Sequence, residues 1–224
     1  MKRESKPAMG AERANEGTRA AIGLRVHSGW TALVVVSGPL RSPRVIDRRR
    51  IVIFDAAIAG SKQPFHAAEK LELKQAEALI GRCRASTWKL ARDAFGAALD
   101  EMREKGLEVA GCGLLLASGR PVGTLAEALA SHAMLHTAEG QFFRDALSDA
   151  SEHFGVPVTG VREKEVFARA AETLRIGENE IRRRVGEMGK AVGPPWSQDE
   201  KLAAVAAWIV LKTGVKGQKR ERQK

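Results

Sequence analysis

The stretch AIGLRVHSGWTALVVV, residues 21–36, decides how the rest of the chain is read. Its two halves, AIGLRV (21–26) and TALVVVSG (31–38), are aliphatic and β-branched, and the polar, small residues HSG separate them. Such a pair predicts two strands joined by a tight turn, because glycine takes the backbone conformation that a short antiparallel connection demands. A third run, PRVIDRRRIVIFD (43–55), adds Val45, Ile46, Ile51, Val52, Ile53 and Phe54 and extends the pair into an antiparallel meander.

Downstream the periodicity changes. GSKQPFHAAE (60–69) reads as a loop, and about 73–105, rich in Ala, Leu, Lys, Arg and Glu, as a long helix. VAGCGLLLASG (109–119) is continuously apolar and reads as a strand buried on both faces. A helix is expected over about 122–154, a short strand at VPVTGV (156–161) and a charged helical segment over about 163–190. After the breaker GPP (193–195), the last helix begins at Ser197 and ends near Leu211. The expectation is one α/β domain, residues 20–211, with a mixed five-stranded sheet, flanking helices and 163–190 as an extra helical segment.

Composition bounds the function. At 224 residues and 44% hydrophobic the chain buries the core of one ordinary domain. Cys83 and Cys112 lie far apart with no CxxC spacing, which fits reduced thiols better than a disulfide framework. The longest apolar run, Leu202–Leu211, is too short to span a bilayer, and the N-terminus carries charges where a signal peptide needs apolar residues. A cytoplasmic protein with no membrane partner is expected. The net charge is +10, of which residues 212–224 contribute +5 and residues 1–19 contribute +2, leaving +3 for the body. Both ends lack apolar periodicity and read as disordered tails. The basic C-terminal one suits DNA or RNA, held by counterion release, or serves simply as a solubility tail.

The order strand, strand, strand, helix, strand, helix, strand, helices resembles the ribonuclease H-like fold. AIGLRVHSGWTALVVV is similar in outline to the first hairpin of the bacterial Holliday-junction resolvases, and the Ala-rich last helix is similar to the one that closes their active site. The resemblance covers about residues 20–211. It implies phosphodiester cleavage with two divalent ions held by carboxylates from the first strand, the middle strand and the last helix. The residues depart from that pattern. Arg25 stands where the family carries an Asp, GLLLASGRP offers Ser118 and Arg120 but no acid, and Lys201 falls where a metal-binding Asp would stand. Replacing acids by Arg and Lys repels Mg²⁺ and attracts an anion, so a degenerate two-metal site follows. SQDE (197–200) has the form of a capping box, in which Ser197 and Glu200 satisfy backbone N–H groups, and Asp199 suits the first turn.

SHAMLHTAEGQFFRDAL (131–147) holds the remaining chemistry. On a helical wheel advancing ~100° per residue, His132, His136 and Glu139 fall in the middle of the apolar face formed with Leu125, Leu129, Leu135, Phe142, Phe143 and Leu147. Polar groups facing a core need partners. Shared metal binding by the i, i+4 histidines is one partnership, which His66 and Glu69 could join, but the nominated residues are counted as holding no metal. A second is an internal network in which Glu139 accepts from Arg25 or a histidine. A third is a pocket shared with Arg25, His27 and Ser28 of RVHSGW, Lys62, Gln63 and His66 of the loop, and Ser118 and Arg120 beyond the buried strand. Trp196, after Pro-Pro, is a candidate stacking platform, and Asp199 completes the ligand-binding set.

Three function classes remain. The first is a ribonuclease H-like domain that binds nucleic acid or another phosphate-bearing ligand without two-metal cleavage. The second is a hydrolase or nuclease in which His132 or His136 is a general base oriented by Glu139. The third is a protein–protein scaffold. No cofactor and no oligomeric state is named by the residues.

Overall fold

The computed structural model describes residues 18–117 and 121–221. The opening hairpin is present as read: β1 (Arg19–His27) pairs antiparallel with β2 (Trp30–Ser37), in a register that sets His27 opposite Trp30 across a two-residue turn. Gly29 in that turn has φ +79, and Phe54 and Lys62 pack over its bare Cα. β3 (Arg44–Val52) continues the meander on the far side of β2. β4 (Glu108–Leu116) and β5 (Val158–Arg162) add parallel to β1, giving a five-stranded mixed sheet of order β3-β2-β1-β4-β5.

Alternation along β1 assigns its two faces. Ile22 and Leu24, with Leu33, Val35, Cys112 and Leu114, face α2 (Leu73–Glu104) and α4 (His132–His153), which contribute Phe95, Met102, Leu135, Phe142, Phe143 and Leu147. Ala21, with Val34, Val36, Leu115 and Val161, faces α5 (Val166–Leu174), α6 (Glu178–Val192) and α7 (Gln198–Glu221). α7 lies directly on the sheet because its residues Ala203, Ala206 and Ala207 meet Gly23 and Gly113, where no side chain intervenes. Trp208 is fully buried, and its indole nitrogen donates to the Leu40 carbonyl at 3.1 Å. Cys83 and Cys112 are free, buried thiols, and burial pushes Cys112 up to about 12.

Several boundaries differ from the sequence reading. The loop 60–69 contains a short helix, α1 (Pro64–Ala68), started by a proline whose missing N–H is harmless in a first turn. The single helix expected over 122–154 is two: α3 (Leu125–Leu129), with a Thr124/Glu127 capping box, and α4, separated by the extended backbone of Ser131. The segment 163–190 is also divided, into a 3₁₀ turn at Glu163–Glu165, then α5 and α6, because Arg175 adopts a left-handed conformation that ends α5. α7 runs to Glu221, past the expected end near Leu211. No helix among the described residues is long and apolar enough to cross a membrane.

Candidate functional site

β1 emerges from beneath α7 two residues after Gly23, and there Arg25 becomes the hub of a charged network. Its Nε donates to Glu163 Oε2 at 3.2 Å and its Nη2 to Glu163 Oε1 at 2.9 Å, a forked contact. Its Nη1 meets the carboxylate of Asp199, in the first turn of α7. His27 joins through one nitrogen, Nε2, which lies 3.2 Å from Asp199 Oδ1 and 3.1 Å from Arg25 Nη1. A neutral imidazole nitrogen either donates or accepts, so its tautomer selects one of these two contacts. The network ties together the end of β1, the turn after β5 and the start of α7.

Trp30 extends this site. Its ring stacks on His27 at 4.2 Å and 7°, and the guanidinium carbon of Arg50 lies 3.8 Å from the ring centroid. Two groups that close cannot share one face without overlapping, so Trp30 is held between imidazole and guanidinium. Burial, and next the Arg25 charge, lower the His27 pKa below its ordinary 6.5. Protonation of His27 therefore favours the unfolded chain. Its contribution to stability is fully present above pH 6.5 and declines as the pH falls below that value. NMR titration is expected to place the His27 midpoint below its ordinary 6.5, and His27→Gln to flatten the pH dependence of stability below about 6.5.

Glu139 organises a second cluster. Its side chain is only 2% exposed, and Oε2 accepts from the backbone N–H of Phe65 at 3.0 Å, that of His66 at 3.3 Å and His66 Nδ1 at 3.0 Å. Oε1 is buried without a hydrogen-bond partner. Burial raises the Glu139 pKa against the lowering effect of His66. His132 and His136 are exposed, not core-facing, and their Nε2 atoms are 3.0 Å apart. The reason is axial position. They share the angular face of Leu135 and Phe142, but they sit in the first turns of α4, where α1 rather than the sheet lies alongside. His66 of α1 fills that place, its ring centroid 4.7 Å from His136 and 6.2 Å from His132. Among the described residues, no group of three or more His, Cys, Asp or Glu is placed so that it could hold a metal ion.

The nominated residues thus divide into two groups. Arg25, His27 and Asp199 meet on the α7 face of the sheet; His66, His132, His136 and Glu139 meet beside the α4 face. Glu139 takes its histidine partner from His66 rather than from the two histidines of its own helix. Ser28 lies in the β1–β2 turn and Lys62 beside it, packed by its stem over Gly29. Ser118 and Arg120 lie outside the described residues. Trp196 is no free platform: it packs against Gly189 and donates to the Val185 carbonyl at 3.0 Å. Glu200 caps α7 as expected, accepting from Ser197 N at 2.7 Å and Oγ at 2.5 Å. Glu163, Trp30 and Arg50 are members that sequence reasoning missed. Glu163 had only the charge-dense VREKE after a strand as a signal, whereas Trp30 stood in the hairpin that fixed the fold.

No family model and no curated protein matches the chain. The structure of Thermus thermophilus RuvC is similar at a TM-score of 0.51 and 13% sequence identity, covering 88% of this chain and 96% of that one. T. thermophilus RuvC in complex with Holliday junction substrate is similar at 0.49 and 12%, covering 85% and 91%. The fold is ribonuclease H-like. On this ribonuclease H-like frame, the donors at the sheet end do not fit a pair of divalent ions. The β1 position offers a guanidinium, β4 ends on Leu114, Leu115 and Leu116, and the Asp199 and Glu163 carboxylates are already bonded to Arg25.

Proposed function

We propose that this chain is a ribonuclease H-like domain that binds nucleic acid or another phosphate-bearing ligand without cleaving it by two-metal chemistry. The observation that carries the reading is the bonding of Arg25 to both Asp199 and Glu163. One guanidinium shared by two carboxylates has no positive charge left to offer, so Arg25 is not itself the anion site that its position suggested. Cations nearby are free of that constraint. Arg48 and Arg50 lie on the α7 face of the edge strand β3, opposite Val34 and Ala32. Arg48 donates to the Val192 and Pro194 carbonyls and lies within the field of the Glu200 carboxylate, whereas Arg50 covers Trp30. Arg44 is exposed at the start of the same strand. Together with the basic C-terminal sequence, this edge offers a polyanion a row of cations ending at the His27–Trp30 stack.

The test is binding of single- and double-stranded DNA and RNA to the intact chain across a salt series. Affinity should fall linearly with log salt, by about 0.9 per phosphate neutralised on duplex DNA. The double substitution Arg44→Glu with Arg50→Glu is expected to weaken binding at least roughly tenfold and reduce the slope by about 2, near one unit for each phosphate contact. Binding that ignores this double substitution would reject the β3 edge. Mg²⁺-dependent cleavage abolished by Asp199→Asn would reject the non-nuclease half of the reading.

A further inference from the structure

The stack at the sheet end has one open side. His27, Trp30 and Arg50 come from three adjacent strands and share one face of the sheet: His27 lies opposite Trp30, and Arg50 lies on the diagonal, two residues before Val52, the β3 partner of Trp30. Neighbouring strands are about 4.8 Å apart, close to a stacking distance. The column therefore runs across the strands, from the His27 ring to the Trp30 ring 4.2 Å away and on to the Arg50 guanidinium, whose carbon is 3.8 Å from the Trp30 centroid. β3 is the edge of the sheet, so no strand follows Arg50. We propose, on the nucleic-acid reading given above, that the outer face of the Arg50 guanidinium stacks an unpaired nucleobase, which makes single-stranded nucleic acid the ligand class of this edge.

Arg50 is prepared for that contact as it stands. Its guanidinium lies nearly parallel to the indole, because on edge a nitrogen about 1.3 Å from its carbon would be pushed to roughly 3 Å or less from the ring, inside van der Waals contact. Trp30 is itself backed by His27, so the plane is fixed before a ligand arrives, and binding orders less of the protein. The opposite face is open: Arg50 is exposed and forms no ion pair with another described residue.

Val52 supplies a separate observation. It follows Arg50 by two residues on the same face and is 51% exposed, more than any other large hydrophobic side chain among the described residues. An edge strand is ordinarily blunted by charge, as β3 is at Arg44, Arg48, Arg49 and Arg50. A bare aliphatic group beside the flat cation gives a base or its sugar an apolar flank. Bases in a duplex are stacked on both faces and show only their edges in the grooves, so a flat cation at a sheet edge reaches a base face only where the strand is unpaired. Guanidinium planes take such bases by stacking and by cation–π attraction, and every base has a π-face, so the contact is tolerant of sequence.

The test compares three fluorescein-labelled probes of equal length by anisotropy with the intact chain at one salt concentration: single-stranded oligothymidylate, the same strand paired with oligodeoxyadenylate, and an abasic strand that keeps the phosphates and lacks the bases. One stacked base is worth roughly 5- to 150-fold in affinity, so the single strand should bind at least about fivefold more tightly than either of the others. Arg50→Lys keeps the charge and loses the plane. It should remove that preference while retaining the salt slope, and its exposed position leaves the fold intact. Trp30→Leu, which removes the support under the guanidinium, should act in the same way. Equal or tighter binding of the duplex or abasic strand, or an undiminished preference in Arg50→Lys, would overturn the stacking site and leave the salt-dependent reading of β3 standing. Failure of all three probes to bind would overturn both.

Discussion

Gly23→Ala is expected to destabilise the protein by about 3 kcal/mol or more, at the upper end of what overpacking a core does. A Cβ on Gly23 would stand 1.9 Å from the carbonyl oxygen of Ala203, 2.7 Å from its carbon and 2.9 Å from the nitrogen of Ala207. All three are backbone atoms of α7, so no rotamer change relieves the clash. Either β1 or α7 must move. β1 is hydrogen-bonded on both sides, to β2 and β4, and α7 is the helix that yields. Lifting it exposes the face formed by Ala203, Ala207 and Trp208, all fully buried, and draws Asp199 away from Arg25. Against a total stability of about 5–15 kcal/mol, a loss of this size is readily seen in urea or thermal unfolding. Gly81→Ala supplies the contrast: it lies in α2 with no atom within 4 Å of its would-be Cβ, and should stabilise by up to about 1 kcal/mol. Equal melting temperatures for the two variants would mean that α7 does not rest on β1.

That packing also shows which parts of the molecule could be read from the sequence. The hairpin was legible because its signals are local: β-rich runs, a glycine able to take positive φ, and a register fixed by a two-residue turn. The sheet and its flanking helices followed from periodicity, and the Ser197/Glu200 cap from a four-residue pattern. The pairings that build the sites are not local. Arg25 finds Glu163 and Asp199 only when β5 and α7 return to the end of β1, and Glu139 finds His66 only because Pro64 starts a helix inside an apparent loop. The wheel gave the angular phase of α4 correctly, since Glu139 is buried. It carried no information on how far the core extends along the axis, and so His132 and His136 were placed inside. Trp196 was misjudged for a related reason: the proline pair before it suggested an exposed loop, but Gly189 leaves a recess on α6 that the indole fills.

Arg25→Asp should convert the network from one held by a cation on the chain into one that requires a cation from solution. In the native protein the Arg25 fork spans Glu163 and contacts Asp199, with side-chain exposures of 20%, 41% and 20% for Arg25, Glu163 and Asp199. Removing one partner of a fully buried pair costs about 3–5 kcal/mol. These groups are partly solvated, so screening reduces the loss to about 2 kcal/mol in the absence of divalent ions. The substituted side chain adds a third carboxylate to Asp199 and Glu163, an all-oxygen donor set of the kind that hard dications prefer. Millimolar Mg²⁺ or Mn²⁺ should therefore raise the Tm of the Arg25→Asp protein by several degrees, by ligand linkage, and leave the native Tm nearly unchanged. Arg25→Met separates the two effects, because it removes the cation without adding a ligand: it should lose stability and gain no metal response. Cleavage need not appear with metal binding, since β4 still ends on leucines rather than an acid. If native protein and Arg25→Asp responded equally to Mg²⁺, Asp199 and Glu163 would be available to metal despite Arg25, and the case against two-metal chemistry would fall. If Arg25→Asp cost nothing, the network would not hold β1, the turn after β5 and α7 together at all.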